Sequence, residues 1–186
     1  MLYYKMSRLI ARMLFFVKFI FLKIALNKKI KFPKFYLSCI DSDFKIWCLN
    51  GTLTFSGRFI SRRFLTINVM SGELVVGKDV FFNQNVSINC QNNIIIGNNS
   101  IFGESVKLYD HNHRFNLQGN IKDQGFISKP IVIGDNVWIG SNSVILSGVE
   151  IGNNSVISAG SIVRCSIPAD SIYKDGNVIK ILRRED

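Results

Sequence analysis

The chain has only two histidines, His111 and His113, and they stand two residues apart in the stretch KLYDHNHRFNLQGNIKDQGFISKP. In an extended segment, residues i and i+2 project to the same side, so both imidazoles can serve one site. Three roles suit them. A neutral imidazole near pH 7 can accept a proton from a hydroxyl or amine as that group attacks an acyl carbon. A carboxylate or carbonyl on the other ring nitrogen would fix the tautomer, and Asp110 is a candidate by its proximity in sequence. Zinc is the second option, but a zinc site takes three or four ligands. Asp110 is the only extra ligand at hand and no thiol is near, so no metal is expected. The third option is that both are polar loop residues with a structural role.

The elements that must carry this stretch are read from an unusual period. Ile133, Ile139, Ile145, Ile151, Ile157 and Val163 recur every sixth residue. An α-helix repeats every 3.6 residues and a plain strand every two, so a strict six implies a coil with a repeated corner. Each hexad is one short strand and one turn, three hexads close a triangular coil, and the aliphatic residue points to the axis. The positions four further on, Val137, Ser143, Val149, Ser155, Ser161 and Ile167, are small or β-branched. Gly134-Asp135-Asn136 and Gly152-Asn153-Asn154 supply residues that tolerate left-handed backbone angles at the corners. Stacked coils then bury a continuous aliphatic column. Upstream, Val76, Phe82 and Ile88 share the phase, and Ile96, Phe102 and Leu108 resume it after two extra residues. Between Leu108 and Ile133 the spacing is not a multiple of six. A loop over 109–130 is therefore expected to leave the coil, and interruptions of a regular repeat are where function tends to sit.

Charge is placed unevenly. The net charge is +10, yet residues 1–34 hold nine Lys/Arg and no acid, leaving the rest close to neutral. Basicity confined to one end argues against a nucleic-acid partner, which would need basic and aromatic residues spread over a face. On a helix, Lys5, Arg8, Arg12, Lys18 and Lys23 share one side, and Leu9, Ile10, Leu14, Phe16, Val17, Ile20, Phe21 and Ile24 fall mostly on the other. This reads as a basic amphipathic helix suited to an anionic membrane surface through residues 1–30. The competing readings are an end-cap for the coil, a signal peptide and a span. Lys18 and Lys23 interrupt the apolar centre, which weakens the last two. Cys39, Cys48, Cys90 and Cys165 form no C-x-x-C pair or disulfide framework, which fits a reducing, cytoplasmic setting. The expected organisation is a basic helix over 1–34, an irregular lead-in and first coil over 35–75, the β-helix over 76–168 with its loop at 109–130, and a tail over 169–186. Within the lead-in, FSGRFISRRFLTINV sets Arg58, Arg62 and Arg63 among aromatics. That stretch fits an irregular coil or a basic contact for lipid or substrate.

The hexad run, the His loop and the tail SAGSIVRCSIPADSIYKDGNVIKIL together resemble the hexapeptide-repeat acyltransferases. The likeness is greatest to the maltose and galactoside O-acetyltransferase branch and its polysaccharide-modifying relatives, and covers roughly residues 70 to 183. Three features stand in order: Gly77, Asn83 and Asn85 in G-x-x-x-x-x-N-x-N, the His loop, and IGDNVWIG followed by SAGSIV. The resemblance implies a mainly β fold, a left-handed parallel β-helix. It also implies a homotrimer with active sites between subunits, acetyl-CoA as donor and a sugar or glycan as acceptor. It makes His113, in Leu108-Tyr109-Asp110-His111-Asn112-His113, the catalytic base, with His111 second. Asn83 and Asn85 would line the acceptor pocket with Tyr109 and Asp110. Trp138, Ser141 and Ala159 would line the pantetheine channel, and Arg164 and Lys180 would lie toward the CoA phosphates.

The chain departs from the family pattern in three places. Gly176-Asn177-Val178-Ile179 stands for Gly-x-Pro-Ala, Arg164 for a threonine, and Gln91 for an acidic residue of the acceptor pocket. The expected activity is O-acetylation of a bacterial capsule or O-antigen sugar, or of its lipid-linked precursor. The enzyme would be peripheral on the inner face of the inner membrane. The alternatives are N-acetylation of a nucleotide-linked amino sugar, a zinc hydratase, and a non-catalytic β-helix scaffold.

Overall fold

The computed structural model describes residues 29–31, 39–40 and 43–181, together with Ile10, Met13, Val17, Ile20, Phe21 and Ile24. These six are helical and exposed, at the spacing of one helix face. The basic residues of the expected helix, Lys5 to Lys23, lie outside the described residues. Among the described residues no helix is long and apolar enough to cross a membrane.

The rest is a three-sided parallel coil. Each turn lays one strand on each of three faces, in a fixed order. The first face holds Cys39–Ile40, Phe59–Ser61, Val80–Phe82, Ile101–Phe102, Trp138–Ile139, Val156–Ile157 and Ser171–Lys174. The second holds Lys45–Cys48, Thr66–Val69, Ser87–Cys90, Lys107–Tyr109, Val144–Leu146 and Ile162–Val163. The third holds Ile30–Lys31, Thr52–Phe55, Glu73–Val76, Asn93–Ile96, Ile131–Ile133 and Glu150–Ile151. Neighbours within a face pair in parallel. The last strand, Asn177–Lys180, is the exception and folds back antiparallel on Ser171–Lys174.

The hexad residues do point inward. Ile139, Ile145, Ile157 and Val163 are fully buried, and Ile133 and Ile151 nearly so. Burying a side chain of that size contributes about 1.5–3 kcal/mol, and the column repeats it at every corner of every coil. The positions four further on also face inward. There Ser143 Oγ donates to the Ser158 carbonyl at 3.1 Å and Ser155 Oγ to that of Pro168 at 2.9 Å, both in the next coil, while Ser161 Oγ donates to the Ser158 carbonyl of its own coil at 2.6 Å. No buried side-chain nitrogen or oxygen among the described residues lacks a partner. Two corner columns use left-handed backbone. Asp79, Asn99, Asn136, Asn154 and Asp170 form the column between the third and first faces; Phe64, Asn85, Ser105, Asn142 and Gly160 form the one between the first and second. Asn136 Nδ2 donates to Asn154 Oδ1 at 2.9 Å, tying one corner to the next.

The coil starts upstream of residue 76. Coils over 39–55 and 59–76 carry the same three faces, in register with the later turns. The hexad rule misses them because their turns are longer. Equivalent residues are 21 apart at Asn68 and Asn89, 20 apart at Lys78 and Asn98, and 18 apart at Asp135 and Asn153. Only an 18-residue turn divides into three equal hexads. The tail likewise adds to the first face rather than trailing away from it.

Candidate active site

The chain leaves the coil after Lys107–Tyr109, at the corner between the second and third faces, and re-enters at Ile131–Ile133. Its excursion is a hairpin, His111–His113 antiparallel to Phe126–Ser128, with a 3-10 turn at Ile121–Asp123 near the tip. Gln124 closes the tip, its amide donating to the Leu117 carbonyl and its Oε1 accepting from Leu117 N–H, both at 2.9 Å. The base is pinned to the coil. The Asp110 carbonyl accepts from Lys129 N–H at 2.9 Å and from Ser147 Oγ at 2.8 Å.

Asp110 is the residue on which this corner is built. It is fully buried. Its Oδ1 accepts from Gln91 N–H at 2.8 Å, and its Oδ2 accepts from Asn92 N–H at 2.7 Å. Its Oδ1 also faces His111 Nδ1 at 2.9 Å. A carboxylate oxygen only accepts, so Nδ1 carries the hydrogen and the lone pair of a neutral ring sits on Nε2. His111 keeps 18% of its side-chain surface exposed, and His113 is exposed beside it. Both rings lean on Phe126, with centroids at 5.1 Å for His111 and 4.5 Å for His113. The expectation that the two histidines share one side of an extended strand is met through that common neighbour. The same carboxylate lies against Cys90, whose thiol is pushed up first by burial and then by the Asp110 charge. A thiol held protonated there is no nucleophile. Among the described residues no group of three His, Cys, Asp or Glu could hold a metal.

The other residues singled out in the sequence lie elsewhere. Asn83, Asn85, Ser141 and Ala159 occupy the corner between the first and second faces. Asn83 Oδ1 accepts from Gln84 N–H at 2.9 Å, and Ser141 Oγ accepts from Glu104 N–H at 3.1 Å. Small residues are required here by stacking. A Cβ on Gly140 would lie 2.5 Å from Ala159 N. The corner is therefore a closely stacked seam, with Trp138, 54% exposed, on the first face beside it. Tyr109 is half-buried next to the hairpin. Arg164 is exposed on the hairpin's own corner, across the second face from Ser141 and Ala159, and Lys180 is exposed in the terminal hairpin. One chain thus brings Tyr109, Asp110, His111 and His113 together at one corner. It holds Asn83, Asn85, Ser141 and Ala159 at another. Sequence reasoning undervalued Asp110 and missed Ser147. The signal for Asp110 was its place beside His111, just after the repeat breaks; nothing marked Ser147.

Comparison with known proteins agrees with this architecture. Residues 130–165 match the bacterial transferase hexapeptide (six repeats) family. WbbJ of Escherichia coli K12, assigned to lipopolysaccharide biosynthesis as an O-acetyl transferase, is 30% identical over 81% of this chain and 81% of its own. The galactoside O-acetyltransferase of Escherichia coli K12 is 40% identical over 52% of this chain and 47% of its own length. A hexapeptide-repeat acetyltransferase of Vibrio cholerae, solved in complex with acetyl-CoA, superposes with a TM-score of 0.53 at 27% identity. That superposition covers 76% of this chain and 70% of the other. The triangular coil, its hexads and the histidine hairpin at a broken corner make this chain a member of the hexapeptide-repeat acetyltransferases, built on their left-handed parallel β-helix.

Proposed function

We propose that this chain transfers an acetyl group from acetyl-CoA to a hydroxyl of a bacterial surface-polysaccharide sugar, or of its lipid-linked precursor. The observation that carries the reading is the buried Asp110 carboxylate fixed on His111 Nδ1 at 2.9 Å. That contact leaves Nε2 as the basic atom, at the root of a hairpin that projects from the coil. The motif ranks His113 first; we rank His111 first because, of the two and among the described residues, it is the one with a partner that sets its tautomer, with His113 as its neighbour on the same strand.

The acceptor hydroxyl gives its proton to His111 Nε2 as its oxygen bonds to the thioester carbonyl carbon. When the carbon–sulfur bond breaks, the imidazolium returns the proton to the leaving thiolate, so no acyl-enzyme forms. Acetyl-CoA supplies the activated acyl group. The seam of Ser141 and Ala159 suits a thin pantetheine arm because its side chains are small, with the exposed Trp138 as a side wall. Arg164 and Lys180 are free to meet the phosphates, and Asn83, Asn85 and Tyr109 to meet the acceptor.

The seam and the hairpin occupy different corners of one chain. A closed ring of copies can set the seam of one against the hairpin of the next, which supports a homotrimer with its sites between subunits. The exposed stripe of Ile10, Met13, Val17, Ile20, Phe21 and Ile24, in a segment rich in Lys and Arg, supports work at the inner surface of the membrane. The test is incubation with labelled acetyl-CoA and bacterial membranes, comparing the wild type with His111→Ala and His113→Ala. Label should enter a glycan, and His111→Ala should cut transfer by roughly 10²–10⁴-fold with CoA affinity retained. Full transfer by both variants would refute the assignment.

A further inference from the structure

The corner that carries Asn83 and the Ser141 seam continues one coil further, and its next residues are Arg62, Arg63 and Phe64. Arg62 N–H donates to the Phe82 carbonyl at 2.9 Å and the Arg63 carbonyl accepts from Asn85 N–H at 3.1 Å, so the three sit one rung, about 4.8 Å, beyond Asn83 and Asn85. Phe64 is out of keeping with its column. The left-handed position is Asn85, Ser105, Asn142 and Gly160 in the following coils, all small residues, whereas the first holds a phenylalanine at φ 64° that is 49% exposed. A bulky side chain there is a strained choice, and exposure means that burial does not repay it.

Of the three arginines around it, one keeps its charge unpaired among the described residues. Arg58 is paired with Asp79 at 2.6 Å, and Arg63 with Asp43 at 3.0 Å across an exposed contact. Arg62 has no carboxylate partner among the described residues; its guanidinium lies 5.8 Å over the Phe81 ring. That of Arg63 lies 5.4 Å over Phe64. Arg62 therefore keeps its fork of N–H donors for a planar or tetrahedral anion, whereas Arg63 donates to Asp43 through Nε. One free fork on Arg62, a second guanidinium beside it on Arg63 and an exposed ring on Phe64 suit a phosphate ester joined to a ring.

We infer that Arg62, Arg63 and Phe64 form an acceptor subsite that binds the phosphate or diphosphate of a phosphate-linked sugar, with Phe64 stacked on the attached ring. The inference rests on the acetyltransferase reading for the word acceptor. It places the subsite on the Asn83 side of the corner, away from Ser141 and Ala159, so the donor and the charged end of the acceptor approach along one seam from opposite ends. A diphosphate of this kind comes either from a nucleotide-linked sugar or from a lipid-linked one.

The experiment is calorimetric titration of the full-length protein with uridine diphosphate, farnesyl diphosphate, glucuronate and CoA. The variants are Arg62→Ala, Arg62→Lys and Phe64→Asn. At least one diphosphate should bind the wild type, and Arg62→Ala should weaken it about tenfold or more, the loss expected for a charged hydrogen bond. Arg62→Lys should recover only part of it. Phe64→Asn should weaken the same probe while leaving the melting temperature equal or higher, which a purely structural Phe64 would not do. Preference for uridine diphosphate or for farnesyl diphosphate identifies the nucleotide or the lipid source. Equal affinity of wild type and Arg62→Ala for the diphosphates, or no diphosphate binding at all, overturns the subsite. So does glucuronate binding as tightly as the diphosphates, and so does CoA weakening in step with them, because the site would then belong to the donor. Absence of CoA binding by the wild type would instead refute the acetyltransferase reading, with the diphosphate arms still deciding the subsite.

Discussion

Replacing Asp110 with asparagine tests the proposed site through a residue with no exposed surface. The wild-type carboxylate accepts from Gln91 N–H, Asn92 N–H and His111 Nδ1–H with no exposed surface. An asparagine of the same shape has one oxygen and one NH2 group. If the oxygen stays with the two backbone donors, the NH2 meets Nδ1, the ring must turn Nδ1 into an acceptor, and Nε2 takes the hydrogen. The base is then in the wrong tautomer. If the oxygen stays with Nδ1, a backbone donor faces an NH2 and is left unpaired in the core. The second arrangement costs about 1–3 kcal/mol, about 2–4 °C in melting temperature per kcal/mol for a domain of this size. The first costs rate, on the order of 10²–10⁴-fold as for other displaced bases.

Steady-state acetyl transfer should therefore show kcat falling at least a hundredfold with KM for acetyl-CoA little changed, because Ser141 and Ala159 lie at another corner. The decisive measurement is a double-mutant cycle. If Asp110 acts through His111, adding Asp110→Asn to His111→Ala should cost little further activity. Near-wild-type kcat in Asp110→Asn, or losses that multiply in the double variant, would refute the argument.

The same geometry sets other outcomes. Gly72→Ala, at φ +70° with a Cβ 1.4 Å from the Asn92 carbonyl oxygen, should destabilise by about 3 kcal/mol or more and melt early or fail to fold. Ile139→Ala should open a cavity in the central column and cost about 2–5 kcal/mol, read by denaturant titration. Cys90, its thiol raised above the ordinary 9.0, holds an extra proton in the folded state; its stabilisation is complete below pH 9 and is lost as pH climbs from there toward the raised folded value. Cys90→Ala should flatten that alkaline loss in melts recorded from pH 8 to 11. Deleting residues 1–28 should abolish binding to anionic vesicles while leaving acetylation of a soluble acceptor in place. Equal vesicle binding would remove the membrane reading.

The sequence by itself determined the coil. A hexad is a local instruction: an apolar residue for the axis, small residues beside it and Asn, Asp or Gly where the backbone turns left-handed. These preferences are legible one residue at a time, so Ile133 to Val163 and Val76 to Leu108 could be set on the axis from their spacing, and the break after Leu108 located the hairpin. Where turns lengthen to 20 or 21 residues the local rule no longer divides evenly, and the first two coils read only as an irregular lead-in and one first coil.

Tertiary structure alone decided the rest. That Asp110 is buried, and so governs His111, depends on Gln91 and Asn92 one coil below and on Ser147, 37 residues on. That the hairpin and the seam occupy different corners, and that Phe64 shares a column with Asn85, Ser105, Asn142 and Gly160, depends on which residues stack. Periodicity fixes which way a side chain points along its own turn. Its partners across turns are set by the length of every turn between them, and a single extra residue in a corner changes them all.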